Sequence, residues 1–194
     1  MNTIVKNLDE AANLLITFDP MNHSEARAEV VNVLKEVGEH KPEFLYSGVR
    51  GLFQIRVDTN PKDVTRRLDA LCRTDPSKFW YTYHWIPVEK WCSSTIKEMS
   101  EIVKEFAKRI KLNERWRMRI NKRFYEKYHT DELIEKLTEH VDRPNVDLEN
   151  PQKTIRVEII GGKAVLSLLK PKEHFSANDV KNEILTTAKT ENYD

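Results

Sequence analysis

Residues 115–123 read Arg-Trp-Arg-Met-Arg-Ile-Asn-Lys-Arg. In an extended strand, successive side chains point to opposite faces. One face then carries Arg115, Arg117, Arg119, Asn121 and Arg123, and the other Trp116, Met118, Ile120 and Lys122. A sheet containing this strand has a side to bury and a side suited to phosphate groups. The plain alternative is a charged edge strand that does nothing but meet water.

Charge distribution separates this stretch from the rest of the chain. The formal net charge is only +1. Residues 93–127, however, hold 11 Lys and Arg against 5 Asp and Glu, whereas residues 1–92 hold 12 against 13 and residues 128–194 hold 9 against 13. A basic footprint confined to about a fifth of a near-neutral chain is how a polyanion site shows itself in sequence. With 194 residues, 39% hydrophobic and 32% charged, there is room for one large or two small domains with a well-solvated surface. No apolar run approaches the roughly 18 residues that span a bilayer. The start, MNTIVKNLDEAANLL, lacks a basic segment followed by an apolar one, so we expect a cytoplasmic protein with no membrane association. Cys72 and Cys92 stand alone, without a CxxC partner or a histidine at ligand spacing. They read as reduced, partly buried thiols rather than zinc ligands or nucleophiles.

Along the chain, Leu14–Phe18 reads as a buried strand broken by Asp19, Pro20 and Asn22. A helix follows, with Ser24 as candidate cap and Ala26, Val30, Val33, Leu34 and Val37 as its apolar stripe, stopped by Gly38. Strands are expected at 44–46 and 52–57, separated by Ser47-Gly48-Val49-Arg50-Gly51. Asn60-Pro61 opens a second helix with Val64, Leu68 and Leu71 inward. Residues 80–88 form a fourth, aromatic strand whose Trp80, Tyr81, Tyr83 and Trp85 are expected to anchor the core and interdomain packing. The order β-α-β-β-α-β is the split βαβ, ferredoxin-like arrangement, and we assign it to residues 1–92. Beyond it, Ser93 or Ser94 caps a helix with the stripe Ile96, Met99, Val103, Phe106 and Ile110. The arginine strand comes next, then a helix capped by Thr130 with Leu133, Ile134 and Leu137 inward. Residues 144–151 form a structured loop. Residues 153–159 alternate as a strand, Gly161-Gly162 turn a hairpin, and residues 163–169 return as an interior strand. A short helix at 176–185 and a frayed tail at 186–194 end the chain.

Three features of the second half carry a family resemblance. They are Lys122-Arg123 at the end of the basic strand, the helix opened by Thr130, and Val146-Asp147-Leu148-Glu149-Asn150-Pro151 running into Thr154-Ile155-Arg156-Val157-Glu158-Ile159. Residues 93–185 resemble the THUMP domain, an RNA-binding module of tRNA-modifying proteins, with Gln152 standing where an acidic residue is common. The resemblance implies an α+β protein in which a ferredoxin-like domain is followed by a THUMP domain, a small mixed sheet packed on helices. Gly48-Val49-Arg50-Gly51 and Ser167-Leu168-Leu169-Lys170 resemble segments of the stand-alone THUMP adaptor of tRNA cytidine acetylation. That adaptor has no catalytic domain. It presents tRNA, acceptor end gripped by the THUMP domain, to a separate RNA cytidine acetyltransferase that forms N4-acetylcytidine. The implied partners are therefore tRNA and that acetyltransferase, with no DNA, no cofactor and no metal.

The residues themselves give little sign of catalysis. No GxxxxGK[ST], GxGxxG after a strand, or HxE with PCxxC is present, and the histidines are scattered without i, i+4 pairs. We therefore expect a binding protein rather than an enzyme. Two alternatives stay open: a stand-alone tRNA-modifying enzyme with an unrecognised site, and a general RNA-binding chaperone. The candidate RNA contacts are Arg115, Arg117, Arg119, Lys122 and Arg123 on the strand, Lys104, Lys108 and Lys111 before it, Lys170, and Asp147 and Asn150 in the loop. For Asp147 and Asn150, bonding to nearby backbone N–H groups competes with a hydrogen bond to a 2′-OH or a terminal base. Arg50 is a possible interdomain or partner contact.

Overall fold

Five consecutive apolar or β-branched residues, Leu14–Phe18, are buried throughout and form β1 at the centre of a sheet. The computed structural model describes residues 12–190. Its contacts divide it into two units: the described residues of Met1–Pro87 with those of Lys172–Asp194, and Val88–Pro171.

In the first unit, β1 is followed by α1 (His23–Glu36), β2 (Glu43–Leu45), β3 (Leu52–Arg56), α2 (Pro61–Thr74), a 3-10 turn at Pro76–Lys78 and β4 (Thr82–Pro87). β1 pairs antiparallel with both β3 and β4, and β2 pairs antiparallel with β3. The resulting order, β2-β3-β1-β4, is that of the ferredoxin-like arrangement. Leu14, Ile16, Val30, Leu34, Leu68 and Trp85 meet in its core. Asn60 caps α2, its side chain accepting from the Lys62 N–H, with Pro61 at the first helical position. The cap of α1 is Asn22 rather than Ser24. Asp19 engages Asn22 and the Met21 N–H, which fixes the chain before the helix begins.

The second unit runs β5 (Lys90–Ser93), α3 (Ile96–Lys108), β6 (Trp116–Arg123), α4 (Thr130–Thr138), β7 (Lys153–Ile160) and β8 (Lys163–Leu169). Its sheet has the order β5-β8-β7-β6, with β6 and β7 parallel and the other pairs antiparallel. β8 is therefore interior, as its nearly continuous apolar sequence requires. Met99, Val103, Phe106 and Ile110 together with Leu133 and Leu137 cover the face made by Met118, Ile120, Ile155, Val157 and Leu166. Thr95, not Ser93 or Ser94, caps α3. It accepts from the Glu98 N–H while Glu98 reaches back to the Ser93 N–H, a variant of the capping box. His129 occupies the cap of α4, so Thr130 is its first residue.

The chain then re-enters the first unit. β9 (Phe175–Ser176) pairs antiparallel with β4, and α5 (Ala177–Thr190) lies along α2. Glu173 is buried between Lys62 and Arg66, and Phe175 packs on Phe79 and Trp85. The expected division at 92/93 therefore moves to 87/88. Residues 172–185, expected with the second domain, group instead with the first unit, because their buried partners lie there. The expected frayed tail is helical through Thr190, and residues 191–194 lie outside the described residues, as do residues 1–11 of the first domain. Of the expected aromatic anchors Trp85 is buried, but Trp80 precedes the strand and is exposed, with Lys181 4.8 Å over its ring.

Candidate nucleic-acid interface

β6 is an edge strand of the second sheet. Trp116, Met118 and Ile120 are buried among α3 and α4, which turns Arg117, Arg119, Asn121 and Arg123 to the other face. The alternation inferred from sequence is thus realised. Loop 144–151 closes on the start of the strand. Trp116 N–H donates to the Asn145 carbonyl, Asp147 N–H donates to the Trp116 carbonyl, and the Trp116 indole N–H donates to the Arg143 carbonyl.

The cations of this face differ in freedom. Arg115, just before β6, faces the Asp147 carboxylate at 3.7 Å, and both side chains are partly solvated. Arg117 donates to the Leu148 carbonyl at 2.6 Å and to Thr154 Oγ1 at 3.4 Å. Arg119 is exposed and, among the described residues, has no hydrogen-bond or ion-pair partner. Its register neighbour on β7 is another arginine, Arg156. Arg156 is 3% exposed and donates through Nε to Glu158, which is 5% exposed and also accepts from Asn121 Nδ2 at 2.7 Å. Burial lowers the Arg156 pKa, the Glu158 carboxylate opposes that shift, and Arg119 and Arg117 push it lower still. Arg117 and Arg119 thus stand on the same face as a buried guanidinium whose carboxylate, Glu158, is already committed to it and to Asn121. The positive charge lies on a pleated face on which Arg119 keeps its donors exposed, chemistry suited to phosphate oxygens.

The other expected contacts distribute unevenly. Arg123 is half-buried on the arginine face. Lys170 follows β8, whose Leu169 is level with Thr154 of β7, which in turn is level with Arg117. Lys111 sits in the turn leading to Arg115, its N–H held by Glu114. Lys122 points to the opposite face and donates to the Tyr128 carbonyl at 2.7 Å, so the strand does not add it to the row. Lys104 and Lys108 are exposed on α3, which covers the apolar face of the sheet. The helix layer separates them from the arginines, and they do not extend that track. Arg50 belongs to the first unit.

Asp147 performs the loop role. Its Oδ1 accepts from the N–H groups of Asn150 and Glu149 at 2.8 and 3.0 Å. The Asn150 bond chiefly holds its pKa below the usual carboxylate range, with Arg115 and Arg117 contributing. The Asn150 side chain is left on the surface. Alternation does not single out Phe124, which follows the strand 78% exposed at φ +54. Among the described residues no cluster of three His, Cys, Asp or Glu is placed to hold a metal, and no helix is long and apolar enough to cross a membrane.

A mixed sheet with helices on one face and a row of arginines on the other defines the class: a small α+β module with a cationic sheet face. Residues 93–169 match the family model of the THUMP domain, and the chain carries a THUMP domain in its second unit. No curated protein matches the chain. Among solved structures, PH1313 from Pyrococcus horikoshii Ot3 is similar at 17% identity and TM-score 0.54, covering 81% of this chain and 54% of that one. TrmN from Thermus thermophilus is similar at 14% identity and TM-score 0.52, with 82% and 46% covered. A predicted N6-adenine-specific DNA methylase from Listeria monocytogenes str. 4b F2365 is similar at 12% identity and TM-score 0.51, with 82% and 40% covered. The chain thus spans about half the length of the structures it matches, and at these identities the likeness concerns the fold.

Proposed function

We propose that the chain binds tRNA through the arginine face of its THUMP domain and presents it to a separate cytidine acetyltransferase, without performing the chemistry itself. The observation that carries RNA binding is the arginine row of β6, with Arg119 unpaired among the described residues, inside the segment that matches the THUMP family. The adaptor part rests on the likeness of Gly48–Gly51 and Ser167–Lys170 to the adaptor of tRNA acetylation.

About five phosphate contacts to single-stranded RNA give a log–log salt slope near −3.5, roughly a hundredfold loss between 50 and 200 mM salt. Arg117→Ala with Arg119→Ala flattens that slope by about 1.4, read by filter binding or gel shift. An unchanged slope places the RNA elsewhere. Removing the unpaired 3′ nucleotides of tRNA weakens binding if the acceptor end is gripped. Equal affinity for trimmed tRNA refutes that part. Incubating the purified chain with tRNA and an acetyl donor separates adaptor from enzyme, since N4-acetylcytidine formed by the chain alone overturns the adaptor role. Co-purification with an acetyltransferase distinguishes the adaptor from a general RNA chaperone.

A further inference from the structure

The first unit carries a groove of about 560 Å³ between the start of α1 and the turn joining β2 to β3. Arg27, Arg50 and His23 line it, and none of its lining residues bears a carboxylate. The Arg27 guanidinium lies 3.7 Å over the centroid of the Phe44 ring, which fixes its plane while the residue stays exposed. Among the described residues, neither Arg27 nor Arg50 has an ion-pair partner. His23 meets Phe18 and Phe53 edge-on, with centroids 5.6 and 5.2 Å apart, so the floor of the groove is aromatic.

The rim adds an isolated ring. Tyr46 is 94% exposed, although a tyrosine ring gains by burial wherever a core is within reach. It leans on Gly48, where an added Cβ would lie 3.5 Å from its Cε1. The turn that presents it is fixed. Gly48 and Gly51 hold φ of +64° and +73°, and a Cβ at Gly51 would stand 3.0 Å from the Phe18 carbonyl oxygen and Pro20 Cγ. Ser47 Oγ both donates to the Val49 carbonyl and accepts from its N–H.

We propose that this groove is a second RNA-contact site, taking one unpaired nucleotide with its base on the Tyr46 ring and its flanking phosphates on Arg27 and Arg50. Stacking on aromatic rings combined with arginines that track the backbone is how single strands are held without sequence preference. An acidic peptide would meet the same cations but offers nothing flat for the isolated ring. The choice of RNA over other polyanions rests on the function proposed above, while the site itself lies in the other unit.

The test uses the full chain and a labelled ten-residue oligouridylate. Tyr46→Ala weakens binding about tenfold, the size of one lost stacked base, and Tyr46→Phe restores it. Arg50→Gln flattens the log–log salt slope by about 0.7. Because Tyr46 and Arg50 are exposed, their urea midpoints match the parent and exclude misfolding as the cause. Unchanged affinity and slope in these variants overturn the site, as does competition by polyglutamate stronger than that by RNA. Failure of this site is distinguishable from failure of the THUMP surface. Loss on Arg117→Ala and Arg119→Ala without loss on Tyr46→Ala leaves only the latter surface, and the converse leaves only this groove.

Discussion

Replacing Glu29 by glutamine tests how the first unit holds its most aromatic strand in place. Glu29 lies on α1 at 8% exposure, and its carboxylate collects four donors. Oε2 accepts from the Trp80 and Tyr81 N–H groups at 2.7 and 2.9 Å, while Oε1 accepts from the Thr82 N–H at 3.0 Å and its hydroxyl at 2.6 Å. The same hydroxyl accepts from the Trp85 indole N–H at 3.0 Å, so the network reaches the core. An amide keeps one oxygen and turns an NH2 toward two N–H groups that need an acceptor. Losing two hydrogen bonds to a charged acceptor, at about 1.5–3 kcal/mol each, costs roughly 3–6 kcal/mol. With an m-value of about 2 kcal/mol/M, the urea midpoint of this unit falls by about 2 M. Hydrogen exchange at the Trp80, Tyr81 and Thr82 amides assigns the loss to this network. Glu36→Gln is the control. It lies on the same helix and, among the described residues, meets a solvated lysine, Lys78, so its loss is small beside that of Glu29. A Glu29 variant no less stable than the Glu36 variant refutes the carboxylate as the clamp on residues 80–82.

In the second unit, Glu158→Gln strands the buried Arg156 guanidinium and costs about 3–5 kcal/mol, whereas Arg156→Met with Glu158→Leu stays near the parent. Denaturation of Arg156→Met, of Glu158→Leu and of the double variant measures the coupling, and additive losses refute a coupled pair. Burial pushes the Cys72 and Cys92 thiols up to about 11. Each is therefore a neutral thiol at pH 8, and iodoacetamide should alkylate them about a hundredfold more slowly than a free thiol. Rapid labelling of the folded chain, followed by mass spectrometry, would contradict their burial. The same shifts mean the folded state holds these protons more tightly than the unfolded one. Their contribution to stability is therefore complete below the ordinary thiol value of 9.0 and is lost as pH rises toward about 11.

Legibility in the sequence followed the range of the interactions involved. Leu14–Phe18 and the alternation of β6 are local patterns, and both elements stand where those patterns put them. Caps are less legible, because neighbouring residues compete: Asn22 and Ser24, Thr95 and Ser93, His129 and Thr130 all offer plausible chemistry, and tertiary contacts choose among them. β5 and β9 carry no readable period. Four and two residues long, they are strands only because β8 and β4 lie beside them. The return of residues 172–190 to the first unit is set by long-range partners such as Thr65 Oγ1, which donates to the Glu173 carbonyl at 2.9 Å. On β7 the alternating polarity is real, yet it does not mark a solvated face. Arg156 and Glu158 satisfy one another under cover, a pairing that the pattern of charges alone does not distinguish from exposure.

Charge left unbalanced in a folded protein has an energetic consequence, and at β6 it separates stability from binding. Arg119 lies level with Arg156, Arg117 is two residues away on the same face, and Glu158 is committed to Arg156 and Asn121. Like charges on neighbouring strands oppose folding, so removing Arg119 should stabilise the RNA-free chain even as it weakens RNA binding. The expected gain is on the order of 0.5 kcal/mol, visible as a small rise in the urea midpoint at low salt. It should shrink as salt approaches 1 M, where the Debye length falls to about 3 Å. A bound polyanion should reverse the order, since a ligand that binds only the folded state stabilises it by mass action and Arg119 would be one of its contacts. The parent should then outlast Arg119→Ala in saturating tRNA and yield to it in tRNA-free buffer. If Arg119→Ala is instead less stable in both conditions, the guanidinium is a structural prop of β6 and the surplus charge is not held there for a ligand.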